Sequence, residues 1–213
     1  MSFNQNWFAK QRVLCYISQV FNGGVGQSQH TNQICQGKSI PPCLPQYQPN
    51  ALEKLTIYDS PEEQFIQLTK ATDLVPESTV ENVYNQLKPI PPSFLIGKWN
   101  GGDIDTGHIG HKLLKEMKWA GKDFRSVDDG DPIMVHDAEG NRVWKEDWGH
   151  CSLREMVYRG VTSTAMIYDQ KPIFDHFRYV TDDMVAGAMD TPKLFGAKGT
   201  YYFYLTRRSP SAL

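Results

Sequence analysis

The sequence predicts a mainly β protein in which a short helical region precedes a small antiparallel barrel. The chain has 213 residues, the length of one domain with an appendage. Short apolar and alternating runs follow one another through residues 93–208, with tight turns between them. Seven or eight such strands with little helix among them favour closure into a barrel, because closure removes exposed strand edges. Helical spacing is concentrated in residues 51–92.

Composition and charge exclude several classes of partner. Lys and Arg number 22 against 24 Asp and Glu, a formal charge of −2, and the one tight basic pair is Arg207-Arg208. We therefore expect no nucleic-acid partner. No run approaches the roughly 20 apolar residues of a membrane span. The four cysteines lack C-x-x-C spacing, which favours free thiols in a cytoplasmic protein; a disulfide between Cys35 and Cys43 stays an alternative.

Residues 1–50 differ from the rest of the chain. They are rich in Gln and Asn, as in the run 27–33, and carry Gly23-Gly24 and Pro41-Pro42. Such a segment buries too little apolar area to offset its ordering entropy. We expect a flexible or weakly ordered extension with one short amphipathic helix within residues 4–21.

Residues 51–92 predict two helices. The run Ser60-Pro61-Glu62-Glu63 supplies a cap, a proline for the first turn and two acids. A second helix begins near Pro76, with Val80, Val83 and Leu87 on one face. We expect a helical lid or strap packed on the barrel.

Residues 93–208 carry the predicted barrel. Ser93–Trp99 is a candidate first strand that ends in the turn signal Asn100-Gly101-Gly102, and Lys112–Trp119 is a candidate short helix. A hairpin follows around residues 137–141. The later candidate strands are Arg154–Arg159, Val161–Tyr168, Ile173–Val180, Met184–Met189 and Thr200–Thr206.

Several motifs occur in a family-specific order. Gly97-Lys98-Trp99-Asn100-Gly101 matches G-x-W-x-G and precedes Thr106-Gly107-His108. Further matches are Trp119–Phe124, Met166–Asp169, Pro172–Phe177 and Gly187–Asp190. Over residues 52–207 the chain resembles the GXWXG-motif family joined to its C-terminal companion domain of unknown function.

The resemblance also indicates a more specific fold. The Gly-x-Trp strand is similar to the one that opens lipocalin barrels, which implies a lipocalin-like (calycin-type) barrel. Lipocalin-like barrels in fungal and bacterial biosynthetic pathways act as cofactor-free cyclases and isomerases. For this chain that activity is an analogy at the level of the fold.

The strand around Asp175 is the most informative for chemistry. Period-two alternation places Ile173, Asp175 and Phe177 on one face, and that face is the better candidate for the barrel interior. A buried carboxylate must be paired, hydrogen-bonded or protonated. The candidate partners are Arg159, Tyr168, Lys122 and His108. A structural ion pair and a cluster that polarises a substrate carbonyl or moves a proton both fit this pattern.

Two other polar residues have alternative roles. Lys122 lies near Trp119 and Phe124 in sequence, so its amine either reaches solvent or enters a dry pocket as a base or electrophile. His108 precedes a predicted helix and serves either as a cap or in acid–base chemistry. His111, three residues later, is expected to face solvent. The spacing of the two histidines alone does not indicate a metal site.

The sequence leads to one functional hypothesis and two rivals. We expect a cofactor-free isomerase, cyclase or lyase, cycloaddition included, that acts on a small hydrophobic secondary metabolite inside the barrel. The rivals are a non-catalytic carrier of a hydrophobic molecule and a barrel whose polar cluster only locks the fold. A homodimer is left open. The candidate catalytic residues are His108, Lys122, Asp175 and Tyr168, with Arg159 as orienter. Trp99 either plugs the closed end of the barrel or stacks on a ligand. The candidate binding residues are Trp99, Trp119, Phe124, Met166, Phe177, Met189 and Phe203.

Overall fold

A computed structural model describes residues 60–191 and 199–209, so the predicted extension of residues 1–50 lies outside the described residues. Short 3₁₀ turns occur at Pro92–Leu95 and Glu146–Trp148. The helices are α1 (Pro61–Leu68), α2 (Glu77–Tyr84) and α3 (Ile109–Glu116), and the strands are β1 (Gly97–Asp103), β2 (Trp119–Ser126), β3 (Asp129–His136), β4 (Arg142–Trp144), β5 (Cys151–Tyr158), β6 (Val161–Tyr168), β7 (Phe174–Thr181), β8 (Met184–Asp190) and β9 (Tyr201–Arg207).

The strands form a closed antiparallel barrel, which confirms the predicted fold class. The order in the sheet is β2-β1-β9-β8-β7-β6-β5-β3-β4, and an additional pairing between β2 and β3 closes it. Eight strands therefore make the barrel, and β4 extends the edge of β3. Strands β3 and β5 pair in register at one position, Gly130 with Cys151.

Apolar side chains form two cores on opposite sides of the barrel wall. One fills the barrel around Trp99, Phe177 and Phe203, all at most 2% exposed. The other joins α1 and α2 to the outer face of β7–β9, around Phe65 and Tyr84. Because the helices cover that face, the outward residues of β7 are buried as well as its inward ones.

The start of α1 follows the predicted capping signal. The Ser60 hydroxyl accepts a hydrogen bond from the Glu63 amide at 3.2 Å, and the Glu63 carboxylate accepts one from the Ser60 amide at 2.9 Å. This reciprocal capping box satisfies two amides that the helix itself leaves free. Helix α2 begins at Glu77, and Val80, Val83 and Tyr84 are its buried residues.

The turn predicted at residues 100–102 was wrong. These residues lie inside β1, and the segment before the strand is a 3₁₀ turn. Glycine occurs here because large side chains cross the strand: a Cβ on Gly101 would collide with the Trp119 indole, and one on Gly102 with the Tyr204 ring. The glycines therefore mark close approach rather than a change of direction.

The predicted helix Lys112–Trp119 was placed too late, and strand β2 was not predicted. Helix α3 ends at Glu116, and β2 begins at Trp119. Between them Lys118 has a φ of 53°, which reverses the chain direction. This boundary decides which elements carry Trp119 and Lys122.

Candidate active site

Three polar side chains meet inside the barrel from three strands. Lys122 comes from β2, Tyr168 from β6 and Asp175 from β7. The Lys122 Nζ lies 2.8 Å from the Asp175 Oδ2 and 3.1 Å from the Tyr168 hydroxyl oxygen. The Tyr168 hydroxyl donates to the Asp175 Oδ2 at 3.2 Å. The predicted interior position of Asp175 is confirmed, and its partners are Lys122 and Tyr168.

This cluster is almost completely removed from solvent. The Lys122 and Asp175 side chains are each 2% exposed. The Lys122 ammonium also lies 5.2 Å from the Phe203 ring centroid and 5.6 Å from that of Trp119, distances at which an aromatic face attracts a cation. Burial, together with the Asp175 charge, holds the pKa of Tyr168 well above its usual value. Tyr168 therefore remains a neutral phenol that can donate a hydrogen bond.

A cavity of about 100 Å³ adjoins the cluster. Helix α3 forms one wall, because Leu113, Leu114 and Met117 at its C-terminal end face the space. Drug-sized ligands usually occupy pockets of about 300–1,000 Å³. This cavity therefore holds a small molecule or one end of a larger one. Its lining comprises Gly110, Leu113, Leu114, Met117, Trp119, Lys122, Ile133, Trp148, Tyr168, Asp175, Met189, Tyr201 and Phe203.

Six residues predicted for the site line this cavity. The polar ones are Lys122, Tyr168 and Asp175, and the apolar ones are Trp119, Met189 and Phe203. The register of the sheet brings them together, since Asp175 pairs with Met189 on β8, and Met189 with Tyr201 on β9.

Four predicted binding residues belong to the packed interior instead. Phe124, Met166 and Phe177 are at most 2% exposed and are part of the core inside the barrel, outside the set that lines the cavity. Trp99 is fully buried, its indole donates to the Leu95 carbonyl at 2.7 Å, and the Arg207 guanidinium covers its ring at 4.2 Å. These contacts match the role of a barrel plug rather than a surface for ligand stacking.

His108 acts as the N-cap of α3. Its Nδ1 accepts a hydrogen bond from the Gly110 amide at 3.0 Å, and the ring packs against Tyr201 at 5.7 Å between centroids. Burial lowers the pKa of His108, and the Glu77 charge opposes this shift. The neutral imidazole that the cap requires is thereby favoured. The structure does not place His108 on the cavity wall.

Arg159 lies on the outside of the barrel, away from Asp175. It has a φ of 50° in the β5–β6 turn and donates to the Tyr202 hydroxyl at 2.6 Å. It also pairs with Glu81 of α2 at 3.2 Å. The expected role as orienter in the cluster is therefore not supported, because Arg159 joins the helices to the outer wall.

His111 does not face solvent as expected. Its Nδ1 lies 2.7 Å from the Asp103 Oδ2, and the side chain is 29% exposed. The Tyr201 hydroxyl donates to the same carboxylate oxygen at 2.9 Å. Through Asp103, His111 therefore helps to hold α3, and Tyr201 helps to hold β9, against the end of β1.

The α3 wall, Ile133 and Trp148 were not predicted as lining residues. A signal for α3 was present, because Leu113, Leu114 and Met117 lie at i, i+1 and i+4 on one helical face. Nothing in the sequence indicated that this face covers the barrel mouth. Trp148 reaches the cavity from the turn before β5, a position that depends on how the barrel closes.

Cys151 is not activated as a nucleophile. Burial raises the pKa of Cys151 to about 12, so its thiol is protonated at neutral pH. Within residues 60–191 and 199–209, no three His, Cys, Asp or Glu side chains are grouped closely enough to hold a metal ion.

In the described part of the chain, no helix combines the length and apolarity needed to cross a membrane.

Comparisons with known proteins give two family matches and one solved relative. Residues 82–140 match the family described as "GXWXG protein", and residues 149–207 match "Domain of unknown function (DUF4334)". The crystal structure of a protein from Thermomonospora curvata is 40% identical, with a TM-score of 0.65 over 70% of this chain and 99% of that one. No curated protein matches the chain. The tandem order of the two matches confirms the resemblance seen in the motifs, and the chain belongs to the GXWXG family with its C-terminal domain of unknown function.

Proposed function

We propose that this protein is a cofactor-independent enzyme that moves a proton within a small hydrophobic molecule bound in the barrel. The observation that carries the proposal is the buried Lys122–Asp175 pair at the wall of an otherwise apolar cavity. The reactions it fits are isomerisation and cyclisation.

The energetic cost of the pair supports a chemical role. Removing two charges from water costs several kcal/mol for each ion. Well-packed apolar residues in place of such a pair are often neutral or stabilising, by about 1–4 kcal/mol. Fold stability alone therefore does not require Lys122 and Asp175, whereas a general base in an apolar cavity does require a stabilised carboxylate.

The three groups take different roles in the proposed reaction. The Lys122 ammonium and the Tyr168 hydroxyl both donate to the Asp175 Oδ2, so they fix the orientation of the carboxylate. The second oxygen, Oδ1, has no hydrogen-bond partner among the described residues and is the base. General-base catalysis contributes a factor of about 10²–10⁴.

The proposed step conserves protons and electrons. Asp175 takes a proton from an O–H or an activated C–H of the substrate, and the electron pair of that bond moves into the substrate. A new π bond or ring bond forms, and the atom that receives the electron pair at the other end takes the proton back from Asp175. The enzyme returns to its starting state without a cofactor.

Two related reactions use the same cavity differently. Elimination would release a leaving group after the first proton transfer. Cycloaddition would need no proton transfer, only one bound conformer held in a reactive geometry. A carrier would bind the molecule and leave it unchanged.

Benzisoxazole is a suitable probe, because removal of its ring proton by a carboxylate breaks the N–O bond and gives salicylonitrile. We expect the wild-type protein to accelerate this reaction and Asp175→Asn to lower the rate by about a hundredfold or more. Asp190→Asn is the matched control, since Asp190 is on the next strand and 42% exposed.

Equal rates for wild type and Asp175→Asn would contradict the proposal. If Asp175→Asn also kept binding of the probe within about tenfold, the protein would act as a carrier rather than a base. Circular dichroism and urea unfolding of each variant show whether the comparison is between folded proteins.

A further inference from the structure

The hydrogen bonds of the Lys122 ammonium are all made within the protein. An ammonium group has three N–H donors and no acceptor. The Nζ lies 3.0 Å from the Pro132 carbonyl oxygen, 3.1 Å from the Tyr168 hydroxyl and 2.8 Å from the Asp175 Oδ2. No donor of Lys122 is left to bind a substrate oxygen.

The Asp175 carboxylate, in contrast, has one oxygen that accepts no hydrogen bond from the described residues. Its Oδ2 receives hydrogen bonds from both Lys122 and Tyr168, whereas its Oδ1 is buried without a hydrogen-bond partner among the described residues. A buried acceptor left unmatched is destabilising, and more so when it is charged. Native proteins keep few such atoms, and a catalytic role is one reason for keeping one.

Two other donors on the cavity wall, the Trp119 indole and the Tyr201 hydroxyl, are also engaged. The Trp119 indole N–H donates to the Gly121 carbonyl at 3.0 Å, and the Tyr201 hydroxyl donates to the Asp103 carboxylate at 2.9 Å. A substrate carbonyl or ether oxygen would therefore gain no hydrogen bond from Lys122, Tyr168, Trp119 or Tyr201. A substrate anion would meet the Asp175 charge, and the nearby cation is already paired with that charge.

We infer that the molecule bound here is neutral and apolar and carries one O–H or N–H donor at its buried end, which binds the Asp175 Oδ1. This inference rests on the proposed function for the choice of site. The class comprises alcohols, phenols, enols and secondary amides. Ketones, ethers and carboxylates without such a donor are disfavoured.

The cavity volume limits the size of the buried end. A dry cavity of about 150 Å³ binds benzene in another protein, and the cavity here is about 100 Å³. The buried end is therefore no larger than one small ring. Any further part of the substrate must extend past α3, which forms the wall of the cavity through Leu113, Leu114 and Met117.

Matched one-ring probes test this ligand class. Phenol offers a donor, anisole offers an acceptor only, and benzoate offers a negative charge. We expect phenol to bind the wild-type protein at least about tenfold more tightly than either of the others, as measured by NMR titration, since one unmatched buried acceptor corresponds to such a ratio.

Two variants separate this inference from a general affinity for aromatic rings. Asp175→Asn replaces the charged acceptor by an amide that can also donate, so the preference for phenol over anisole should fall below about threefold. Asp190→Asn should leave the preference unchanged. Equal binding of anisole and phenol, no binding of phenol at millimolar concentration, or a preference that survives Asp175→Asn would overturn the inference.

The outcome is distinct from that of the catalytic test. A preference for phenol without benzisoxazole turnover would keep the ligand class and reject the enzyme. Turnover that depends on Asp175, without a preference for phenol, would keep the enzyme and reject the ligand class.

Discussion

The buried pair gives a sharp prediction about stability. Lys122→Met leaves the Asp175 carboxylate buried with the Tyr168 hydroxyl as its hydrogen-bond donor and removes a donor from the Pro132 carbonyl. Both charged side chains are 2% exposed, so solvent screening does not reduce the effect. Breaking a buried pair in this way costs about 3–5 kcal/mol, and Asp175→Asn, which strands the ammonium, should fall in the same range.

The double variant distinguishes a fold lock from a functional pair. Each single change includes the penalty of leaving the other charge unpaired, so the two costs must not add. We expect the double variant Lys122→Met, Asp175→Asn to lose no more stability than the less stable single variant. The two substitutions would then show a coupling free energy of more than about 2 kcal/mol.

Urea unfolding followed by fluorescence measures the free energy of unfolding of the wild type, the two single variants and the double variant. With a slope of about 2 kcal/mol per molar, a loss of 4 kcal/mol lowers the midpoint by about 2 M. Additive costs, or single changes below about 1 kcal/mol, would refute the reasoning about the pair. A double variant less stable than either single one would favour the fold lock.

Three further predictions concern the scaffold. In a thermal-unfolding assay, Gly121→Ala should unfold the protein or lower its stability by more than about 3 kcal/mol, because Gly121 has a φ of 120° and a Cβ would collide with the Trp99 carbonyl. Gly140→Ala is the control: Gly140 has a φ of 85° with open space around it, so the loss should be about 1 kcal/mol, and similar losses at both sites would contradict the role of close approach. Because burial lowers the pKa of His108, the unfolded chain takes up a proton first as the pH falls below about 6.5, so stability present above that pH should be lost as the pH falls through the folded pKa. His108→Asn keeps a capping side chain and should flatten the dependence of the melting temperature on pH. An unchanged dependence in this variant would contradict the role given to His108. Iodoacetamide should label Cys151 about a thousandfold more slowly in the native protein than in urea, because burial raises the pKa of its thiol to about 12. Peptide mapping measures both labelling rates, and comparable rates would contradict the prediction by showing an accessible thiolate.

Local patterns in the sequence were sufficient for parts of the site. Alternation along β7 placed Asp175 and Phe177 in the interior, because successive side chains of a strand point to opposite faces of the sheet. The run beginning at Ser60 predicted the start of α1, because a capping box needs only residues three apart.

The remaining features depend on contacts between residues distant in sequence. The pairing of Lys122 with Asp175 joins β2 to β7, strands that are not neighbours in the sheet and that meet only across the closed barrel. The outward side chain of Arg178 is 1% exposed because α1 and α2 cover β7, which alternation alone cannot show. Arg159 was expected beside Asp175, but its place in the β5–β6 turn directs it to the outer wall.

The position of a bound donor tests the central claim most directly. In a crystal of the wild-type protein soaked with phenol, we expect the phenol oxygen within about 3.2 Å of the Asp175 Oδ1, with the ring against Leu114 and Phe203. Phenol bound only outside the barrel, or inside it with its hydroxyl turned away from Asp175, would contradict the account.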